Sequence, residues 1–160
     1  MIRIPDYLVE PRSPLKAIAY GWPTATLPAL VLAFLASLLF ASNNHPDFGN
    51  VDGLMVFAIV VVAPVIETLI MAVGLEILIF ILKRLRRPEW IAVPLSAIGW
   101  AIAHSLQAPA WGLVIWWPFL IFSALYVVWR KRSVAWALAI PMAVHALNNL
   151  IPALLLLRNG

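Results

Sequence analysis

The stretch Met55–Leu82 reads MVFAIVVVAPVIETLIMAVGLEILIFIL and decides the fold. It is long and apolar enough to cross a bilayer, which takes about 20 apolar residues in a helix. Glu67 nevertheless lies near its middle. A charged side chain at that depth costs about 2.5–3.5 kcal/mol on insertion scales, so it must face protein or a wet cavity and have polar partners. The rest of the chain should therefore supply polar groups at the same depth.

The composition is that of an integral membrane protein. Of the 160 residues, 64% are hydrophobic and 11% are charged, and the charges cluster between long apolar runs. There is no cysteine, which excludes disulfides and thiolate chemistry. The net charge is +4, but the basic residues sit in short loops, where they orient helices and touch lipid headgroups. We therefore expect the lipid bilayer as a partner and no nucleic acid.

The apolar segments predict an all-α fold, a polytopic membrane bundle of about five transmembrane helices. Residues 1–15 contain three prolines and predict an N-terminal interfacial arm, and residues 16–160 form a single transmembrane helical domain. The predicted helices cover residues 16–41, 52–82, 90–106, 111–129 and 133–157. The first helix has no internal charge, so we expect it to serve packing. Trp111 and Trp129 lie about 27 Å apart along the fourth helix, a spacing that suits aromatic anchors at both interfaces.

The basic residues favour one side of the bundle. With five spans, the N-terminal arm, the 83–89 loop and the 130–132 loop share a side that carries 10 of the 11 basic residues. These ten are Arg3, Arg12, Lys16, Lys83, Arg84, Arg86, Arg87, Arg130, Lys131 and Arg132. The positive-inside rule then predicts a cytoplasmic N-terminus, and we expect a prokaryotic plasma membrane.

Polar side chains on three predicted helices reach a common depth. At 1.5 Å per residue from the basic side, Glu67 lies about 24 Å deep and His104 about 26 Å. His145 lies about 20 Å deep and Asn149 about 26 Å. The last two are four residues apart and share a helix face, with Asn148 beside them. We predict that Glu67, His104, His145 and Asn149 meet in one site inside the membrane.

A second acidic residue lies on the same helix as Glu67. Glu76 follows nine residues later, which places the two carboxylates on opposite faces at about 100° per residue. They therefore cannot act as a pair. Because Glu76 is close to the basic end of its helix, we expect it to contact a polar or cationic partner there.

Hydrolysis of a peptide bond is the chemistry that fits the predicted site. Glu67 and His104 can activate a water molecule, and His145 and Asn149 can donate hydrogen bonds to the oxyanion that forms at the carbonyl. This reaction needs no cofactor. A zinc-dependent hydrolase is the alternative, because Glu67, His104 and His145 would make a two-histidine, one-carboxylate site.

The same residues resemble the motifs of a known family. The runs A-P-V-I-E-T (Ala63–Thr68), W-x-x-x-H (Trp100–His104) and H-x-x-x-N (His145–Asn149) follow one another on successive helices. They resemble the E-E-x-x-x-R, F-x-x-x-H and H-x-x-x-N/D hallmarks of the CAAX prenyl endopeptidase and bacteriocin-processing (CPBP, or Abi) family of intramembrane proteases. The resemblance covers about residues 55–157, which look like the catalytic core of that family.

The resemblance implies a glutamate-dependent intramembrane endopeptidase. It makes Glu67 the general base, His104 its partner in activating water, and His145 with Asn149 the oxyanion site. The implied substrates are membrane-embedded or lipidated peptides and proteins that enter between helices. The sequence does not set the oligomeric state.

The motifs depart from the family pattern at two positions. Thr68 replaces the second glutamate and Ala72 replaces the arginine, so a charged supporting pair is missing. The rival function is therefore a non-catalytic membrane binding or immunity protein that keeps the protease core. A proton-coupled carrier that uses Glu67 ranks lower, because the chain shows no internal repeat.

Overall fold

The computed structural model describes residues 6, 10–40, 49 and 51–159. Five helices hold most of this part of the chain, and no strand occurs within it. They are α1 (Pro14–Leu39), α2 (Gly53–Arg84), α3 (Ala92–Ser105), α4 (Pro109–Trp129) and α5 (Val134–Asn159). The predicted all-α fold is confirmed. Much of the predicted N-terminal arm and nearly all of the loop before α2 fall outside the described residues.

Capping residues set the beginnings of the first two helices. Ser13 Oγ accepts a hydrogen bond from the Lys16 backbone N–H at 3.5 Å, and Pro14 follows at the first helical position, where it loses no hydrogen bond. α1 thus begins inside the segment predicted as an arm. Asp52 accepts from the Met55 N–H at 2.8 Å and caps α2.

α2 is one continuous helix with a local defect. Ala58–Val62 form a π turn, in which the backbone bonds reach five residues back instead of four. Regular α-helix resumes at Ala63 and runs to Arg84. The defect lies one to two turns before Glu67, so it belongs to the region that positions the carboxylate.

Four of the five helices, α1, α2, α4 and α5, are long and apolar enough to cross a membrane. α3 has 14 residues, or about 21 Å of helix, and falls short of a hydrocarbon core of about 30 Å. A 3₁₀ turn, Glu89–Ile91, precedes it. α3 and α4 form a hairpin, so the chain returns after α4 to the side of the membrane at which α3 begins. The basic loops 83–89 and 130–132 therefore lie on the same side, whether or not α3 crosses the whole membrane.

α4 is the central helix of the bundle and contacts all four of the other helices. Trp129, at its end, is 0% exposed, and Trp111, at its start, is half-buried and lines a cavity. The predicted role of Trp129 as an interfacial anchor is therefore wrong, because neighbouring helices occupy the surroundings that we expected to be lipid headgroups. The same role for Trp111 stays a prediction.

An ion cluster closes the basic end. Arg130 Nε and Nη2 donate to the two carboxylate oxygens of Glu76, each at 2.8 Å, and Tyr126 Oη donates to Glu76 at 3.1 Å. Arg130 Nη1 also donates to Glu89 at 3.4 Å, which lies 3.9 Å from Lys83 Nζ. The prediction that Glu76 has a cationic partner is confirmed. The cluster ties α2, α4 and the start of α3 together.

Candidate active site

A cavity of about 300 Å³ lies in the half of the bundle away from the ion cluster, and all five helices contribute to its wall. The four predicted site residues line it. Thr26 and Asn148 add polar groups, and most of the remaining wall is aliphatic or aromatic. Predominantly apolar walls with a few convergent polar groups are typical of ligand sites.

Glu67 and His145 lie close to each other in the cavity. Glu67 Oε2 lies 3.7 Å from His145 Nε2, and the side chains are 25% and 4% exposed. The His145 ring stacks on Phe122, with centroids 4.6 Å apart, and meets Phe119 edge-on at 5.4 Å. These aromatic contacts pack the imidazole against α4, with Nε2 toward the carboxylate.

His104 is fixed by its own helix. Its Nδ1 lies 2.8 Å from the Trp100 carbonyl oxygen, one turn earlier. A carbonyl can only accept, so Nδ1 carries the hydrogen, and the neutral ring keeps a free lone pair on Nε2. Trp111 packs edge-on against the ring, with centroids 4.5 Å apart. His104 is therefore oriented to accept a hydrogen bond or a proton through Nε2.

Asn149 Nδ2 donates to the Ile59 carbonyl oxygen at 3.1 Å. This carbonyl belongs to the π turn of α2, where the Ala63 N–H bonds to Ala58 instead. The next residue that could reach Ile59 is Pro64, which has no N–H. Asn149 thus supplies the donor that the helix itself cannot provide.

The first helix takes part in the site, which the sequence analysis missed. Thr26 Oγ donates to Asn148 Oδ1 at 3.0 Å, and both residues line the cavity. Thr26 is buried, although it lies within a largely apolar helix. A hydroxyl in an apolar span needs a polar partner. Thr26 was therefore the sequence feature that could have indicated that α1 takes part in the site.

A protein-family model described as type II CAAX prenyl endopeptidase Rce1-like matches residues 49–151, more than half of the chain. The chain belongs to the Rce1-like family. The match confirms the resemblance to the CAAX proteases and, with the four apolar helices, makes the chain an integral membrane protein of an endopeptidase family. It contains the four predicted site residues and leaves out α1. Comparisons with curated proteins and with solved structures gave no match.

In this Rce1-like chain, the two residues that differ from the family motif are buried in the core. Thr68 is 0% exposed and Ala72 is 7% exposed, and neither lines the cavity. The Thr68 hydroxyl has no hydrogen-bond partner among the described residues. Uncharged side chains therefore fill the space in which the motif would place a glutamate and an arginine.

The Rce1-like site offers no ready set of metal ligands. Across the described ranges, no group of three His, Cys, Asp or Glu side chains is close enough to hold a metal ion. The His104 bond to a backbone carbonyl leaves Nε2 available, so the zinc-dependent alternative and the assignment of the four residues as catalytic both stay predictions.

Proposed function

We propose that this Rce1-like protein is a glutamate-type intramembrane endopeptidase. It hydrolyses a peptide bond of a membrane-associated peptide or protein, lipidated or not, without a metal cofactor. The observation that supports this best is the shared cavity, in which Glu67 Oε2 lies 3.7 Å from His145 Nε2. Its volume of about 300 Å³ is at the small end for ligand pockets, which suits a short apolar segment that arrives from the bilayer.

In the proposed reaction a water molecule attacks the scissile carbonyl. The Glu67 carboxylate accepts one proton of this water while the new carbon–oxygen bond forms, and His104 Nε2 accepts a hydrogen bond that orients the water. When the carbon–nitrogen bond breaks, Glu67 returns the proton to the leaving amine. The new acid then gives the second proton of the water to the amine, so the products are a carboxylate end and an ammonium end, and the carboxylate of Glu67 is restored.

Two residues of α5 are proposed to stabilise the oxyanion that forms during the attack. His145 is held between aromatic rings and can donate through Nε2. Asn149 has two N–H groups on Nδ2, of which one bonds to Ile59 and the other is left for the oxyanion. Fixed donors in a water-poor site stabilise the transition state without reorganisation.

The proposal predicts separate losses for the base and for the oxyanion donors. With purified protein in detergent and a panel of internally quenched membrane-proximal peptides, Glu67→Gln and His104→Ala should each lower kcat by about 10²–10⁴-fold. His145→Ala should lower it by about 10²–10³-fold. Glu10→Gln and His45→Ala are the matched controls and should cleave like the wild type.

Variants that fold and cleave at the wild-type rate would refute this mechanism. The same assay with a chelator tests the cofactor assignment, since a glutamate-type enzyme keeps its activity. Stoichiometric zinc together with chelator-sensitive cleavage would overturn it.

The second candidate function is a non-catalytic binding or immunity protein. The uncharged side chains at Thr68 and Ala72 favour it, because they remove a charged pair that the family motif contains. A wild-type protein that binds peptides of the panel but cleaves none of them would support this function instead.

A further inference from the structure

A second asparagine adjoins the predicted site residues on α5. Asn148 lines the cavity three residues after His145, and its Oδ1 accepts a hydrogen bond from Thr26 Oγ at 3.0 Å. Thr26 is 8% exposed and belongs to α1, which lies outside the family match. A residue within the family match is therefore oriented by a helix that lies outside the match.

The bond to Thr26 sets the orientation of the Asn148 amide. Because the hydroxyl occupies Oδ1, the two N–H groups on Nδ2 are directed away from Thr26. Among the residues that the structure describes, Nδ2 has no acceptor. Hydrogen bonds are strong in such low-dielectric surroundings, and an unused donor there favours any ligand that brings an acceptor.

The neighbouring asparagine is less available. Asn149 already gives one N–H to the Ile59 carbonyl, where it closes the gap in α2. Asn148 keeps both of its N–H groups for the cavity. The two adjacent asparagines thus have different contacts: Asn149 joins α5 to α2, and Asn148 lines the cavity with its N–H groups unused.

We propose that Asn148 is a substrate-binding residue, whose Nδ2 donates to a backbone carbonyl of the peptide, and that Thr26 is its positioning residue. The inference rests on the proposed function. Residues three apart on a helix have Cβ atoms about 5–6 Å apart. Carbonyls on one side of an extended peptide repeat every two residues, or about 6.6 Å. With the scissile carbonyl at His145, Asn148 meets the carbonyl two residues away.

The test measures binding separately from cleavage. A fluorescein-labelled apolar peptide of the panel is titrated by anisotropy against Glu67→Gln protein, which binds without turnover. Adding Asn148→Asp keeps the acceptor for Thr26 but removes both donors, and should raise Kd about tenfold or more. Thr26→Val should raise Kd severalfold, and Thr26→Ser should restore tight binding. Ser37→Ala, on the exposed face of α1, is the control.

A chemically altered peptide distinguishes contact with substrate from a structural effect. If the carbonyl two residues from the scissile bond is reduced to a methylene, the Glu67→Gln protein should bind about tenfold more weakly, and Asn148→Asp should then add little. An unchanged Kd for Asn148→Asp, a full additional loss with the reduced peptide, or no binding at all would overturn the inference. Peptide cleavage by the wild-type protein tests the proposed function separately.

Discussion

Asn149 fills a hydrogen-bonding gap in α2 that no other residue of that helix can fill. The π turn shifts the Ala63 N–H to Ala58, and Pro64 cannot donate, so the Ile59 carbonyl depends on Asn149 Nδ2 at 3.1 Å. A backbone carbonyl without a hydrogen bond costs several kcal/mol where it faces lipid. It costs about 1–3 kcal/mol where it is buried inside the protein. A single side chain thus anchors the turn that precedes Glu67.

Removing this bond should destabilise the fold, in addition to any effect on catalysis. We expect Asn149→Leu to lower the free energy of unfolding by about 1–3 kcal/mol, seen as a lower thermal midpoint in detergent. Pro64→Ala in the same chain supplies a backbone N–H within reach of Ile59 and should recover part of the loss. Equal midpoints for wild type and Asn149→Leu would contradict the role given to this bond.

At the scale of secondary structure, α3 and α4 approach each other tightly at Gly112. A Cβ at this position would lie 1.8 Å from Ser105 Oγ and 2.3 Å from the Ala101 carbonyl oxygen. No side chain fits there, so glycine lets the hairpin close. This contact stands beside His104, whose ring packs on Trp111, and so the hairpin geometry sets the position of one predicted catalytic residue.

Gly112→Ala should therefore disturb both stability and activity. Forcing a methyl group against a backbone carbonyl costs about 1–3 kcal/mol, and displacement of α3 should move His104 and lower kcat. Gly99→Ala is the matched control on α3, because a Cβ there meets nothing within 4 Å. Alanine in a helix is favoured over glycine by about 0.5–1 kcal/mol. A Gly112→Ala protein that matches Gly99→Ala in midpoint and kcat would refute the close packing.

At the scale of the whole molecule, the bundle has two unlike ends. The ion cluster of Glu76, Arg130, Glu89 and Lys83 ties the helices at the basic end, and the cavity occupies the other half. The closed end lies among the basic loops that predict the cytoplasmic side. We therefore expect substrates to reach the cavity through the half of the membrane away from the cytoplasm.

Cysteine labelling tests this orientation, since the chain has no cysteine of its own. We expect Arg87→Cys and Lys131→Cys to react with an impermeant maleimide only from the cytoplasmic side. Asn44→Cys, in the loop before α2, should react only from the opposite side. Labelling of Arg87→Cys and Asn44→Cys from the same side would refute the topology, whatever the fate of the proposed activity.

The sequence by itself determined the helical class, the basic side and the depth of the polar groups. These depend on local properties: apolar length, charges in loops, and a fixed rise of 1.5 Å per residue. The sequence also indicated that Glu67 has polar surroundings, because the cost of a carboxylate in an apolar membrane helix must be offset by polar contacts. The three motifs indicated the protein family, which the match over residues 49–151 confirms.

Only the tertiary structure decided which groups pair. The depth of Asn149 follows from counting residues, but its bond to Ile59 requires the rotation of α5 against α2 and the π turn. The role of Thr26 depends on α1 packing beside α5, 122 residues along the chain. Trp129 is buried because other helices surround α4. Such contacts join distant parts of the chain. They are set by the way the helices pack, which no local sequence pattern encodes.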